Sequence, residues 1–265
     1  MEDQNNVYSV FEGAWVQCRD VEIRDGLVHC ILATERPYKL IEAYSRNPHL
    51  KFIRCTDDEK LVVFLRSWGP LRLTPIELAN GRSVRPIEEY RSYHRWLSAF
   101  VRLLGAFRSS CDERQHLQEF IDAQSEKPLY MTSSAGVETT YSLRAGQFRY
   151  DSLNDLATVR MVVGMALGSV KLVEAAGLKC SRKSGRPRIE AQFNIGSLRS
   201  AIEWMVWNDE YRQTPLQFCI ECKEPFLSKN AHSRKYCSQE CGHRVAAREW
   251  ARRNQGGKHG SRKTR

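Results

Sequence analysis

The sequence predicts an α+β fold with an N-terminal antiparallel β-rich part, helices after it, and a small treble-clef-like zinc finger at the C-terminus. Short apolar or alternating runs separated by turn signals fill the first part of the chain. Apolar residues then recur at three- and four-residue spacing, which is the helical period. Four cysteines form two close pairs near the C-terminus. Strands first and helices later favour α+β over a doubly wound parallel sheet.

The segment from Val7 to Leu73 is predicted to form strands. Turn chemistry separates its apolar runs at Asp25-Gly26 and at Asp57-Asp58. The candidate strands are Tyr8–Phe11, Ala14–Gln17, Leu27–Leu32 and Lys60–Leu65. Runs of this kind are typical of an antiparallel sheet or a meander.

A long helix is predicted to follow Arg85-Pro86 and to run to about Phe107, because proline suits a first helical turn. Its apolar face has the spacing of a helix: Ile87, Tyr90, His94, Leu97, Val101 and Leu104. Cys111–Gln124 is a weaker helical candidate. This part of the chain therefore supplies the first helices of the body.

The remainder of the body is predicted to mix loop, helix and strand. Pro128–Tyr150 is polar and indicates a loop or weak strand, and Asp151–Ala176 indicates a helix with Gly177 as its C-cap. Pro187–Ile195 indicates a strand, and Ser197–Asp209 a helix. The predicted buried face of that last helix contains Leu198, Ala201, Ile202, Met205 and Val206.

The net charge of +10 is concentrated at one end of the chain. The segment from Ser228 to Arg265 holds eleven basic and two acidic residues, a net charge of +9. The other 30 basic and 29 acidic residues leave a nearly neutral body at +1. A neutral body with a cationic end indicates a polyanionic partner for that end.

Other classes of protein find little support in the sequence. The first residues do not resemble a secretory signal, and the longest apolar run, Met161–Val170, is too short to span a bilayer. We therefore expect a cytoplasmic protein without a membrane partner. The chain contains no phosphate loop, nucleophile elbow, H-E-x-x-H helix or dinucleotide fingerprint, and His94 is expected in the core or at the surface. We therefore expect that the protein is not an enzyme.

The two cysteine pairs predict a zinc site. Cys219 and Cys222 are separated by two residues, and Cys237 and Cys241 by three, with fourteen residues between the pairs. Zinc prefers four soft ligands at tetrahedral angles, and two close pairs supply them at small entropic cost. Cysteines of an intracellular protein normally stay reduced. Close pairs among them are therefore interpreted as metal ligands rather than as disulfides. The five remaining cysteines are scattered and are expected to behave as small apolar residues.

Two histidines compete with the four-cysteine ligand set. His232 and His243 lie nearby, and Cys219, Cys222, His232 and Cys237 would also bind zinc. The four-cysteine set is preferred because Cys241 falls in the first turn of a helix that Ser238 can cap. A thiolate there also gains from the positive end of the helix dipole. Phe226, Leu227 and Tyr236 are expected to pack around the metal.

The residues around the cysteines carry a resemblance to a known family. Arg234-Lys235-Tyr236-Cys237-Ser238 precedes Cys241-Gly242-His243-Arg244, and alanines and arginines follow. With Phe226 four residues after the first pair, this pattern resembles the CGNR-type zinc finger of bacteria. The resemblance implies a finger at the C-terminus of a larger α/β domain, and proteins described as stress-induced transcription regulators. It covers Cys219 to Arg253, with the helix before the finger as its lead-in.

The helix after Cys237 is predicted to contact nucleic acid. Arg244, Arg248 and Arg252 recur every four residues along one stripe, with Arg253 beside it. Arginine pairs well with phosphate, and a helix fits a major groove. Arg234 and Lys235 add basic charge before the helix. The alternative interpretation is a solvated charged face.

Two neighbouring features leave alternatives open. Trp250 can stack on a base or buttress the helix, and buttressing is favoured. Arg182–Arg188 contains Gly-Arg-Pro, the centre of a minor-groove AT-hook, although a basic turn explains it as well.

These patterns predict a zinc-dependent, bacterial-type transcription regulator that binds DNA. We predict a body over 1–212 that senses a small-molecule ligand or mediates homodimerisation, a zinc finger with a basic helix over 213–254, and a disordered basic tail over 255–265. The alternative is a zinc-stabilised module that binds RNA or another protein.

Overall fold

A computed structural model describes most of the chain, namely residues 8–12, 15–37, 40–109, 114–123, 160–164, 176–183, 186–212, 214, 216–227 and 234–255. The polar stretch Pro128–Tyr150 and the predicted tail after Gln255 lie outside these residues. The α+β class is confirmed. An antiparallel sheet near the N-terminus is followed by helices, and a cysteine cluster lies near the C-terminus.

The antiparallel sheet contains β2 (Val16–Arg24), β3 (Leu27–Pro37) and β4 (Arg82–Pro86), in that order. Asp25 and Gly26 join the first two strands, and both have positive φ angles, 52° and 73°. Two central residues with positive φ match the right-handed twist of a hairpin. The Asp-Gly signal in the sequence therefore marks this turn correctly.

The prediction of a strand at Lys60–Leu65 is wrong, because this segment lies in helix α3 (Asp58–Trp68). The Asp57 side chain caps the helix by accepting a 2.9 Å hydrogen bond from the Lys60 backbone N–H. A short apolar run fits a strand or a helix, and here the aspartate cap decides for the helix. The buried side chains follow the helical period: Leu61, Phe64, Leu65 and Trp68.

Two further helices interrupt the segment that was predicted to be β-rich, and a third directly follows it. They are α1 (Leu40–Ser45), α2 (Pro48–Ile53) and α4 (Pro75–Asn80). Pro48 and Pro75 stand in first helical turns, where a missing backbone N–H costs nothing. The N-terminal part is therefore a sheet with helices between its strands.

A second sheet joins distant parts of the chain. It contains β1 (Tyr8–Glu12), β6 (Arg186–Ile195) and β5 (Ala176–Lys183), in that order, with β1 parallel to β6. The predicted C-cap at Gly177 is wrong, because this glycine lies in β5 opposite Gln192. The hairpin partner supplies backbone hydrogen bonds that a local helix-stop signal cannot reveal. Residues 160–164 of the helix predicted before it are helical.

The helices of the body follow the predicted periodicity closely. They are α5 (Ile87–Ser109), α6 (Arg114–Ala123) and α7 (Leu198–Tyr211). Every residue of the predicted buried face of α7 is buried, but Asp209 is buried as well, with its carboxylate 2.9 Å from His49 Nε2. Helix α7 therefore runs through the core. Within the described residues, no helix is long and apolar enough to cross a membrane.

The C-terminal part contains a hairpin and one helix, β7 (Leu216–Phe218), β8 (Pro225–Leu227) and α8 (Gln239–Gln255). The hairpin packs on the body. Arg108 donates a 2.9 Å hydrogen bond to the Leu216 carbonyl, and Leu216 and Leu227 join the apolar core of the body. Its position couples the cysteine cluster to the long helix α5.

We expect loss of Arg108 to loosen this junction. Besides Leu216, its guanidinium pairs with Glu210, whose pKa burial raises. Arg108→Met keeps the aliphatic stem but leaves both acceptors without this partner, so it should cost about 1.5–3 kcal/mol of unfolding free energy. Urea denaturation measures the loss. Arg24→Met, on an exposed strand position, is the control, and equal midpoints for the two variants would contradict the expectation.

Candidate metal centre

The four cysteines come from the turn between β7 and β8 and from the start of α8. Cys219 directly follows β7, and Cys222 lies in the turn that leads back to β8. In this turn the Lys223 N–H donates to the Cys219 carbonyl at 2.9 Å, and the Cys219 N–H donates to the Glu224 carbonyl at 2.9 Å. Lys223 has a φ of 60°, the left-handed conformation that closes so tight a turn. We call residues Cys219–Glu224 the first knuckle.

The second pair lies at the N-terminus of α8. Cys237 precedes the helix, and Cys241 occupies its first turn. Ser238 caps this turn as the sequence predicts, since its hydroxyl accepts a 3.3 Å hydrogen bond from the Cys241 N–H. The cap fixes the direction in which α8 leaves the cysteine cluster.

The four sulfur atoms converge on one point. All of them lie within 4.8 Å of one another. The Cys222 and Cys237 Sγ atoms are 3.5 Å apart, and those of Cys237 and Cys241 are 3.6 Å apart. A tetrahedral zinc site with Zn–S bonds of about 2.3 Å needs sulfurs about 3.8 Å apart. The cluster can therefore hold a metal ion, and a donor set of four thiolates fits zinc or iron.

Local hydrogen bonds favour thiolates at two of the four positions. Burial alone would raise the pKa of Cys219, but backbone N–H groups of Cys222, Cys237 and Glu221 lower it to about 6. The guanidinium of Arg244, whose Nη2 lies 3.0 Å from the sulfur, lowers the pKa of Cys241. Burial raises the pKa of Cys222, and it raises that of Cys237 to about 12. A cation among the four sulfurs would replace these protons.

The two histidines considered as ligands have different outcomes. His232 lies outside the described residues, so the set that contains it stays an open alternative. His243 is exposed on α8. The Cys241 sulfur lies inside the cluster, which favours the four-cysteine set.

The described residues give the cluster a small apolar core of its own. Its buried members are Cys219, Phe226 and Cys241, with Tyr236 packed beside them. Leu227, which was expected around the metal, packs on the body instead. So small a core leaves a metal as the main source of stability for this part of the chain.

Arg234 has a structural place in the cluster. Its guanidinium donates to the carbonyls of Tyr236 at 3.0 Å and Cys237 at 2.6 Å, and lies 5.7 Å from the centre of the Phe226 ring. These contacts hold the segment before α8 in place. Lys235 is exposed, and its backbone carbonyl accepts from the Ile220 N–H at 3.2 Å. Their predicted roles in nucleic-acid binding stay predictions.

The arginine stripe lies on the exposed side of α8. An acidic residue that the sequence pattern did not indicate forms ion pairs with two of its arginines. Glu221 forms ion pairs with Arg248 and, at 4.0 Å, with Arg244. Its side chain is only 12% exposed, whereas the two arginines remain about 60% exposed. Glu221 therefore ties the first knuckle to α8 from the inner side of the stripe.

The outer end of α8 presents further groups to solvent. Arg252 is exposed, and Arg253, at 78% exposure, has a long 3.8 Å ion pair with Glu249. The expectation that Trp250 buttresses the helix is wrong, because its side chain is 67% exposed. The Trp250 ring is therefore largely open to solvent.

Arg186 and Pro187 of the Gly-Arg-Pro motif lie at the start of β6, opposite the end of β5. Lys183 pairs with Arg186, and Arg182 with Pro187. This register agrees with the basic-turn interpretation. The AT-hook stays a hypothesis.

Comparisons with known proteins do not identify the chain. The CGNR-type resemblance of the finger therefore stays a prediction, and the candidate metal centre is assigned from its own geometry. No protein-family model, no curated protein and no solved structure matches this chain.

Proposed function

We propose that the chain is a zinc-dependent nucleic-acid-binding protein, and more narrowly a bacterial transcription regulator that binds DNA through α8. The observation that carries the proposal is an exposed arginine stripe on a helix that starts inside the cysteine cluster. The CGNR-type resemblance of the finger supports the narrower form. In this proposal Arg244, Arg248, Arg252 and Arg253 contact phosphates, and Arg234 and Lys235 add charge nearby.

Zinc would have a structural role at Cys219, Cys222, Cys237 and Cys241. When bound, it supplies a cross-link between the first knuckle and α8, and it neutralises thiolate charge. Four protein ligands leave zinc no open position for a substrate, which supports a role outside catalysis. His94 also has a structural contact, since its Nε2 lies 2.8 Å from the Ile53 carbonyl.

The geometry of α8 suits a groove lined by phosphates. Arginines four residues apart rise about 6 Å along a helix and share one side of it. A helix of ordinary width enters the major groove of B-DNA. Because Glu221 holds Arg244 and Arg248 from the inner side, their exposed nitrogens start from a restricted set of conformations. Restricted side chains lose less entropy on binding.

One observation favours the alternative of RNA binding. The largely exposed Trp250 lies about one helical turn before Arg253 on the outer part of α8. Unpaired RNA bases stack on such aromatic rings, and stacking is worth about 1–3 kcal/mol per base. A protein that bound RNA in this way would depend on Trp250, whereas a phosphate-binding helix in a duplex groove would not.

A competition experiment separates the two polymers. Duplex DNA and structured RNA of equal phosphate content would compete for the zinc-loaded chain over a salt series. We expect the chain to bind DNA about tenfold more tightly than RNA, a difference of ~1.4 kcal/mol in binding free energy. The DNA affinity should fall with salt at a slope near −3.6 for four phosphate contacts at −0.9 each. Tighter binding of RNA that Trp250→Ala abolishes would establish the RNA-binding alternative. A salt slope near zero would contradict both DNA binding and RNA binding.

A further inference from the structure

The end of the β5–β6 hairpin extends beyond the third strand of its sheet. Strands β5 and β6 pair along their length, as far as Lys183 opposite Arg186. Within the described residues, β1 pairs with 191–195 of β6 alone. Residues 179–183 and 186–190 therefore form a two-stranded ribbon, which we call the hairpin ribbon. At ~3.3 Å per residue, each of its strands is about 13 Å long.

Pro187 agrees with this arrangement. A proline lacks the backbone N–H that a strand with neighbours on both sides needs, so it is typical of a sheet edge. Pro187 lies opposite Arg182, in the ribbon and outside the part of β6 that pairs with β1. Its position therefore fits a strand that has one neighbour.

The hairpin ribbon carries a second concentration of positive charge. Residues 179–190 include five basic residues and one acidic residue, a net charge of +4. Without them, the sequence before Ser228 has 25 basic and 28 acidic residues, a net charge of −3. A cationic segment in an otherwise slightly acidic body indicates a polyanionic partner for that segment.

The pairing register collects most of this charge on one face. Residues directly opposite each other share a face of a sheet, and so do residues two apart on one strand. Lys183 lies opposite Arg186, and Arg188 lies two residues further along β6, so these three positions share a face near the end of the ribbon. Lys179 shares the face farther back, but the acidic Glu190 lies opposite it.

Three cations thus occupy neighbouring positions of the ribbon, where like charges repel. Lys183 and Arg186 are directly opposite, and Arg188 is diagonal to Lys183. Like charges at such positions destabilise a free hairpin. A bound chain of phosphates would offset this repulsion, whereas a neutral surface would not. The register therefore favours an anionic ligand that spans several charges.

We propose that the hairpin ribbon is a second DNA-contacting surface, in which Lys183, Arg186 and Arg188 each contact a phosphate beside the major groove. The major groove of B-DNA is about 12 Å wide and admits a two-stranded ribbon, whereas that of an RNA duplex is too narrow. The choice of DNA rests on the proposed function, and the inference adds a surface outside the finger. It differs from an AT-hook, which would occupy the minor groove of A·T-rich DNA.

The salt dependence of DNA binding tests the proposal. The four contacts of the arginine stripe alone predict a slope near −3.6, and three ribbon contacts at −0.9 each would make it about −6.3. Replacement of Lys183, Arg186 and Arg188 by glutamine should therefore reduce the slope of the zinc-loaded full chain by about 2.7. The reduction should be equal for A·T-rich and G·C-rich duplexes, because phosphate contacts carry no sequence information.

Two controls accompany this ribbon variant. Replacement of Arg24, Arg66 and Arg82 by glutamine removes equal charge from the N-terminal part and should leave the slope unchanged. Thermal unfolding should show a ribbon variant no less stable than the original chain, since a repulsion is lost. Each single replacement in the ribbon should reduce the slope by about 0.9, so the test does not depend on the folding of the triple variant.

The outcomes separate this inference from the proposed function. An unchanged slope in the ribbon variant, with or without aggregation, would mean that the charges only protect a sheet edge, and it would overturn the inference. The proposed function would still hold if loss of the stripe arginines lowered the slope. A reduction confined to A·T-rich duplexes would favour the AT-hook and overturn the ribbon. A reduction in the ribbon variant with no effect of the stripe would support the ribbon and contradict the role of α8.

Discussion

Removal of the metal is expected to unfold the first knuckle and α8 while the body keeps its fold. Zinc in small four-ligand sites contributes about 10–16 kcal/mol of binding free energy, more than the whole stability of most domains. In the described part of the finger, the core around the cysteines has three buried members, so it contributes little stability of its own. The body has its own extensive apolar core. Chelation followed by circular dichroism and limited proteolysis measures the outcome.

The expected result is a protease-resistant body that ends near Tyr211, with cleavage in the finger. Because β7 and β8 pack on the body, the hairpin should be protected for longer than α8. Cys55→Ser removes a thiol outside the cluster and is the control, which should lose and regain the metal like the original chain. Simultaneous loss of all helical signal on chelation would contradict the two-part organisation.

The second large effect is expected from Arg244, Arg248 and Arg252. Replacement of all three by alanine should lower the salt slope of DNA binding by about 2.7, or 0.9 for each lost phosphate contact. The affinity should fall by a similar factor for every sequence, because phosphate contacts carry no sequence information. Fluorescence anisotropy with duplexes of different sequence, over a salt series, measures both quantities.

This experiment needs two controls, because Glu221 is 12% exposed and loses two partners in the triple variant. The first adds Glu221→Gln, which removes the unpaired charge, and it should bind DNA as weakly as the triple variant. The second replaces Arg24, Arg66 and Arg82 by glutamine, an equal loss of charge on the N-terminal part, and it should retain binding. If the triple variant stays folded, keeps its metal and shows an unchanged slope, the stripe is only a solvated face.

Local signals in the sequence predicted much of the body and failed for identifiable reasons. Helices α5 and α7 were predicted to within about two residues, because long periodic segments with capping residues leave little choice of structure. Lys60–Leu65 was too short for its period to decide between strand and helix. The pairing of β1 with β6 joins segments some 180 residues apart, which no local pattern can indicate.

The candidate site, like the body, could be predicted from the sequence only in part. Cysteine spacing predicted the convergence of four sulfurs, since close pairs in tight turns fix the distances between their side chains. Glu221 was missed, although an acid between two knuckle cysteines in so basic a segment was a usable signal. The contacts of Arg234 with two carbonyls depend on the path of the chain before α8.

The central claim is that four cysteines bind one zinc ion. The metal content of one cysteine variant and one histidine variant tests it most directly. We expect one zinc per chain in the purified protein, by native mass spectrometry and elemental analysis. Cys241→Ser should bind zinc far more weakly in competition with a chelator, and His232→Ala should retain it fully. Full zinc in Cys241→Ser, together with loss of zinc in His232→Ala, would contradict the four-cysteine centre on which the proposed function rests.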